Sequence, residues 1–233
     1  MSNHLTFEPF MNAAGWYPVR PVREFCLGVD LGQSFDPTAI CLLEHRREGL
    51  KPPEGIGVDL RQKLGPSEFV VKHLQRVPLG TSYPAIAQIV AGLLAKDEIR
   101  GNCSLVIDRT GVGRAVGDIF TRAGLPHVGV TITGGEGERC APDGNGFRVS
   151  KLALVSRLQA EFHSKSLRIP KNLKEAPALV TELQNFRASF SEAGNLAFGA
   201  RSGQHDDIVL SLALALWYLG DRGSGWKVEE VGL

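Results

Sequence analysis

An α/β fold, a mixed sheet of five strands or slightly more with helices on both faces, is what this sequence predicts. Three observations carry that expectation. Three short apolar runs come first, bounded by turn residues and joined without a helix. Segments with helical apolar spacing then alternate with further apolar runs. The chain closes on a strongly apolar Ala/Leu helix. Antiparallel strands followed by alternating helix and strand units make a mixed sheet the natural architecture.

The elements follow in order. Residues 1–23 hold the aromatic pair Trp16-Tyr17 but no sustained period, and read as an irregular arm ahead of a domain over 24–220. Glu24 to Asp30 is an apolar run ending on an acid, a buried strand. After a turn at Asp36-Pro37, Thr38 to Glu44 is a second strand in hairpin relation to the first. Residues 46–66, rich in proline and glycine, read as an exposed insertion. Glu68 to Pro78 is a third strand, at or near an edge. Tyr83 to Ile99 has inward Ile86, Ile89, Val90, Leu93 and Leu94, capped by Thr81 or Ser82. Cys103 to Asp108 is a fourth strand, again ending on an acid. Arg114 to Ala123 is a helix stopped by Gly124, and His127 to Ile132 a fifth strand. A glycine-rich loop at 134–146 precedes a helix from Ser150 to about Ser164. Leu167 to Ile169 is a short strand. Leu173 to Ala188 is a helix that admits Pro177 only in its first turn. Asn195 to Ala200 is a small strand before the last helix, in which Val209, Leu212, Ala213, Leu216 and Trp217 mark one core-facing side. Residues 221–233 read as a polar tail. This is the element order of the ribonuclease H fold.

Composition sets limits. At 43% hydrophobic and 22% charged residues the chain is an ordinary globular sequence. It has no run of about 18 apolar residues that would span a membrane, and its first ten residues lack the order of a secretion signal. Cys26, Cys41, Cys103 and Cys140 form no CxxC, and three of them sit in predicted strands. That argues against a zinc site and fits a reducing compartment. A net charge of +1 leaves nucleic-acid binding to a local patch.

The chemistry rests on acids. Asp30 and Asp108 end the first and fourth strands, which this order makes neighbours. Asp206 and Asp207 open the last helix. Each acid alone has a plain explanation, a strand-end turn or a helix cap complementing the macrodipole. Together they bring three or four carboxylates to one sheet end, and like charges so close stay ionised only beside a cation. Oxygen donors without a His/Cys set favour Mg²⁺ or Mn²⁺. Two such ions about 4 Å apart activate a water and stabilise the leaving oxygen of a phosphodiester.

These residues resemble a known family. Gly28-Val29-Asp30-Leu31-Gly32 with Asp36-Pro37-Thr38-Ala39, Val106-Ile107-Asp108-Arg109-Thr110-Gly111-Val112-Gly113, Val149-Ser150-Lys151 and His205-Asp206-Asp207 before the Ala/Leu helix are similar to the C-terminal nuclease domain of phage terminase large subunits. The motifs keep the family's order over most of the chain. The resemblance implies a metal-dependent endonuclease that cuts concatemeric double-stranded DNA during genome packaging, with two divalent cations, Mg²⁺ or Mn²⁺. Asp30, Asp108 and Asp207 would be ligands, with Asp206 an auxiliary ligand or exchanging roles with Asp207. Asp36 would sit at the rim and reach the second ion, unless it is only the turn residue before Pro37. Lys151 would meet the scissile phosphate, or simply be solvated; His205 would steer a water, or be a hydrogen-bonded neighbour. Arg109, Arg114, Arg139, Arg148, Lys151 and Arg201 are candidate phosphate contacts, which position DNA without reading its sequence. Implied partners are an ATPase motor domain or subunit, a small terminase subunit and a portal, in the cytoplasm of an infected bacterium. The chain has no GxxxxGK[ST] phosphate loop, so the expectation is a nuclease half or a stand-alone relative.

Other readings fit less well. Gly111-Val112-Gly113 imitates a dinucleotide loop, but the next glycine falls at 117. Gly28 to Ser34 resembles the first phosphate loop of the actin and sugar-kinase superfamily, with no second loop later in the chain. A Holliday-junction resolvase of the RuvC type shares fold and metal chemistry but prefers glutamate where Asp108 stands. A catalytically inactive packaging module would not need the full acid set.

Overall fold

The computed structural model describes residues 17–32, 36–51, 63–111, 113–134, 141–142, 146–185, 187–190, 196–199 and 205–221. Residues 1–16 of the expected arm, Arg139, Arg201, the side chain of Arg114 and the tail beyond 221 lie outside them.

The strands are β1 (Tyr17–Asp30), β2 (Ala39–Lys51), β3 (Lys63–Leu64), β4 (Glu68–Arg76), β5 (Cys103–Asp108), β6 (Val128–Thr133), β7 (Ala141–Pro142), β8 (Phe147–Ser150), β9 (Leu167–Arg168), β10 (Arg187–Phe190) and β11 (Leu196–Gly199). The helices are α1 (Tyr83–Leu94), α2 (Gly113–Arg122), α3 (Lys151–His163), α4 (Ala176–Asn185) and α5 (Asp207–Asp221). The main sheet runs β7-β8-β6-β5-β1-β2-β4-β9, with β3 paired to β2, and β10 pairs β11 apart from it. It is the expected mixed sheet with the expected short strand β9, made larger by β3, β7 and the four-residue β8, which carry too few residues to show a period. Several boundaries differ from expectation. β2 runs on to Lys51 and Lys63–Leu64 pair with it, so both ends of the 46–66 segment read as an exposed insertion are strand, extended there by pairing with β1 and β3. The first strand already begins at Tyr17, within the segment read as an arm, because residues from Tyr17 onward pair with the far half of β2. The first helix stops at Leu94, where the Ala95 N–H closes the last turn on Ala91 and Leu93. Arg187 and Ala188, read as the end of a helix, instead pair with Gly199 and Phe198.

Strand directions set up everything that follows. β2 is antiparallel to β1 and β4, while β5, β6 and β8 run parallel to β1. The C-terminal ends of β1, β4, β5, β6 and β8 therefore share one sheet edge. Alternation splits the side chains between two faces. Phe25, Leu27, Val29, Ile40, Leu42, Leu105 and Ile107 face α1 and α2. Cys26, Ala39, Cys41, Leu43, Val106 and Val130 face α5, flanked by α3 and α4. Wedged between sheet and helices, α5 is buried from Asp207 to Trp217 on every side, not along a single stripe as its spacing predicts. A helix apolar all round belongs inside a core.

Candidate active site

The shared edge collects the acids. Asp30 pairs with Ala39 and Ala39 with Arg76, so Asp30 and Arg76 lie on one row, two strands apart. Val29 pairs with Ile107, which puts Asp30 beside Asp108 on the next row. Thr133 pairs with Ser150, so β8 delivers Lys151 to the same edge as the first residue of α3. The Ser150 hydroxyl caps that helix by accepting from the Ala153 N–H at 3.1 Å.

Asp30 and Asp108 are neighbours at this edge. Burial, then the charge of Asp108 and those of Asp206 and Asp207, hold the Asp30 carboxyl well above the usual carboxylate range. Burial also raises Asp108, against the Thr110 hydrogen bonds, one of them its N–H at 2.7 Å from Asp108 Oδ1.

The helix acids are held by cations. Lys151 Nζ donates to Asp206 Oδ2 at 2.8 Å. Arg76 forks onto Asp207, with Nε to Oδ2 at 2.8 Å and Nη2 to Oδ1 at 3.0 Å. Arg76 Nη2 also donates to Glu182 Oε1. Glu182 Oε2 in turn accepts the Val209 N–H at 3.0 Å, so a side chain from α4 caps the first turn of α5. Burial pushes Glu182 up to about 7. Burial opposes the charge of Arg76, but its bonds to Asp207 and the charges of Asp207 and Glu182 outweigh that and raise its pKa. At the rim, His205 Nδ1 stands 3.8 Å from Asp36 Oδ1 and 3.9 Å from Asp207 Oδ1.

Among the described residues no three acidic, histidine or cysteine side chains already converge into a metal cage. The reason is visible in the pairings: Arg76 and Lys151 draw Asp207 and Asp206 toward themselves. The donor chemistry still fits a hard divalent cation, because four carboxylates crowd one edge and burial raises two of them, Asp30 further by the charges of its acidic neighbours. The site is an open edge. An apolar groove of about 400 Å³, lined by Val155, Leu158, Phe162, Ile169, Val180 and Val209, lies elsewhere, between α3 and α4.

The expected phosphate contacts divide. Arg148 is exposed on β8. Arg109 is half-buried, and its guanidinium lies where a Cβ on Gly129 or Gly146 would sit, 2.1 Å and 2.6 Å from Nε and Nη2. Sequence reasoning missed Arg76 and Glu182. Arg76 could have been found as the last residue of a strand parallel to β1, and Glu182 as an acid three residues after Leu179 on the apolar side of its helix.

No family model matches the chain. The terminase large subunit of Thermus virus P23-45 is 28% identical over 212 residues, 91% of this chain and 35% of the relative. The chain thus spans about a third of that relative's length. Among solved structures, the large terminase nuclease of thermophilic phage G20c with bound magnesium superposes with a TM-score of 0.58, at 22% identity over 86% of this chain and 84% of that one. The large terminase nuclease domain of Thermus phage P74-26 gives 0.51, at 21% identity over 83% and 78%. The chain resembles the nuclease domain of phage large terminases. The likeness is one of fold, to the nuclease domains of those terminases.

Proposed function

We propose that this chain is a metal-dependent DNA endonuclease of the terminase type, cutting concatemeric double-stranded DNA during genome packaging. The observation that carries the reading is the meeting of Asp30, Asp108, Asp206 and Asp207 at one sheet edge, with Lys151 on Asp206 and Arg76 on Asp207. Its support is the likeness to terminase large subunits, one of whose nuclease structures holds magnesium.

Asp30, Asp108 and the Asp206-Asp207 pair would hold Mg²⁺ or Mn²⁺, with Asp36 at the rim. A pair of such ions supplies an activated water and stabilises the leaving oxygen of the phosphodiester. The protein's own residues do the rest. Thr110 fixes Asp108 through its N–H, and holds the neighbouring strand by accepting the Ile132 N–H at 2.7 Å. Lys151, at the start of α3, presents its ammonium beside Asp206, where it meets a phosphate oxygen. His205, within 3.8 Å of Asp36 and 3.9 Å of Asp207, would steer a water. Arg148, exposed on β8, holds the DNA backbone, a contact without base readout. Arg114, Arg139 and Arg201 belong to the same proposed surface by their place in the sequence; Arg109, packed against Gly129 and Gly146, shapes that edge from beneath.

An ATPase motor, a small terminase subunit and a portal are the partners this reading calls for, in the cytoplasm of an infected bacterium. No helix among the described residues is long and apolar enough to cross a membrane.

The test is plasmid cleavage with Mg²⁺ and with Mn²⁺, comparing wild type with Asp30→Asn and Asp207→Asn. Metal-dependent nicking or linearisation lost in both variants is the expected result. A wild type that neither cuts nor takes up Mn²⁺ in a calorimetric titration would overturn the reading.

A further inference from the structure

We propose that Arg76 and Glu182 are positioning residues that set how available the Asp207 carboxylate is to a divalent cation, an inference that rests on the nuclease reading above. Arg76 bonds both oxygens of Asp207, at 2.8 Å and 3.0 Å, so that acid already carries a cationic partner. The same Nη2 also reaches Glu182 Oε1. Glu182 is fixed from its other side by the Val209 N–H at 3.0 Å and is buried behind the site. One guanidinium therefore stands between two carboxylates, one at the sheet edge and one behind it.

The electrostatics give the two residues opposite effects. A carboxylate has about four lone-pair sites, and the fork takes one on each oxygen. A guanidinium and a divalent cation on the same carboxylate also repel each other in a partly buried setting, where screening by water is weak. Arg76 thus competes for Asp207. Glu182 offers the guanidinium a second partner, and because Nη2 already contacts both acids, a shift of the side chain toward Glu182 loosens the fork without moving α4 or α5. Glu182 is the residue that relieves the competition. A purely structural role, in which the network merely staples β4, α4 and α5 together, would push both substitutions the same way.

The experiment is calorimetric titration of Mn²⁺ at pH 8 into wild type, Asp30→Asn, Arg76→Gln, Glu182→Gln and the Arg76→Gln/Glu182→Gln double variant, each shown folded by circular dichroism. Arg76→Gln is expected to tighten Mn²⁺ binding by about tenfold, and Glu182→Gln to weaken it by about fivefold. In the double variant the weakening should disappear, the non-additivity expected of one coupled network. Independently of any variant, the Arg76 Nε–H signal of the wild type should shift in nitrogen-resolved NMR as Mg²⁺ is added. Equal-sign shifts, no shift in either single variant, or an unmoved Arg76 signal at saturating Mg²⁺ overturns the proposal while leaving the nuclease reading standing. Failure of the nuclease reading looks different: wild type takes up no Mn²⁺, or Asp30→Asn binds it as well as wild type does, and this proposal falls with it.

Discussion

A side-chain carbon placed on Gly28 would fall 2.1 Å from the carbonyl oxygen of Ser211 and 3.0 Å from the backbone nitrogen of Ala215. Helix α5 therefore lies directly on the backbone of β1. Two residues along a strand advance about 6.5 Å, and one helical turn about 5.4 Å. From the Gly28–Ser211 contact, one such step brings the strand to Asp30 and the helix back to Asp207. The contact that excludes a side chain is what aligns the two acids. Gly28→Ala should cost about 1–3 kcal/mol, as overpacking does when the obstacle is backbone, and should weaken Mn²⁺ binding as well. Urea unfolding with and without Mn²⁺ measures both. A variant as stable as wild type would mean that α5 is not seated as described.

The crowded acids make a prediction about the metal-free protein. The Asp30 carboxyl is raised in the folded state, so the fold binds protons there that the unfolded chain has released. Its stabilising effect is complete at low pH and is lost as pH rises above the unfolded value of about 3.9. Asp30→Asn removes that loss. At pH 8 and without metal, Asp30→Asn should melt higher than wild type, each 1 kcal/mol of relieved repulsion being worth about 2–4 °C in a chain of this size. Mg²⁺ should raise the melting temperature of wild type and leave that of Asp30→Asn nearly unchanged. Scanning calorimetry at two Mg²⁺ concentrations checks both statements.

What the sequence shows and what it hides follow from distance along the chain. Asp30 and Asp108 are legible because a short apolar run that stops on an acid is a local pattern, and the strand order alone makes the two runs neighbours. Asp206 and Asp207 are legible as a pair at a helix start. Their partners are not. Arg76 lies 131 residues from Asp207 and 106 from Glu182, and no local period signals a bond across that span. The all-round burial of α5 is hidden for a related reason: its Ala and Leu residues fit a single stripe equally well until α3 and α4 are seen on either side. The packing of the Arg109 guanidinium over Gly129 and Gly146 is hidden in the same way, since neither glycine is near it in the sequence.

Glu182 gives a second pH dependence, distinct from that of Asp30. Burial raises it from an ordinary 4.5 to about 7, so its share of stability is present below the unfolded value and is lost as pH rises through the folded one. A shift of this size corresponds to about 3 kcal/mol lost across pH 4.5–7, an order of magnitude only. Glu182→Gln keeps an oxygen for the Val209 N–H and cannot ionise. Urea unfolding of the metal-free protein across that interval should therefore show a flatter profile for Glu182→Gln than for wild type. Parallel profiles would assign the slope to other groups.

The edge formed by β8 and α3 yields the last prediction. Arg148 is exposed, whereas Lys151 is half-buried and bonded to Asp206. The two should fail differently when replaced. Arg148→Ala removes a backbone contact, so duplex DNA binding should weaken about equally for unrelated sequences, and the slope of log affinity against log salt should fall by about one. Metal binding should not change. Lys151→Ala removes a positive charge from beside Asp206, so Mn²⁺ binding should tighten while cleavage of a bound plasmid falls. Fluorescence anisotropy over a salt series and Mn²⁺ calorimetry separate the two outcomes. If Arg148→Ala leaves the salt slope intact, the DNA lies across some other part of the sheet edge, and the carboxylates must be approached from the side of α4.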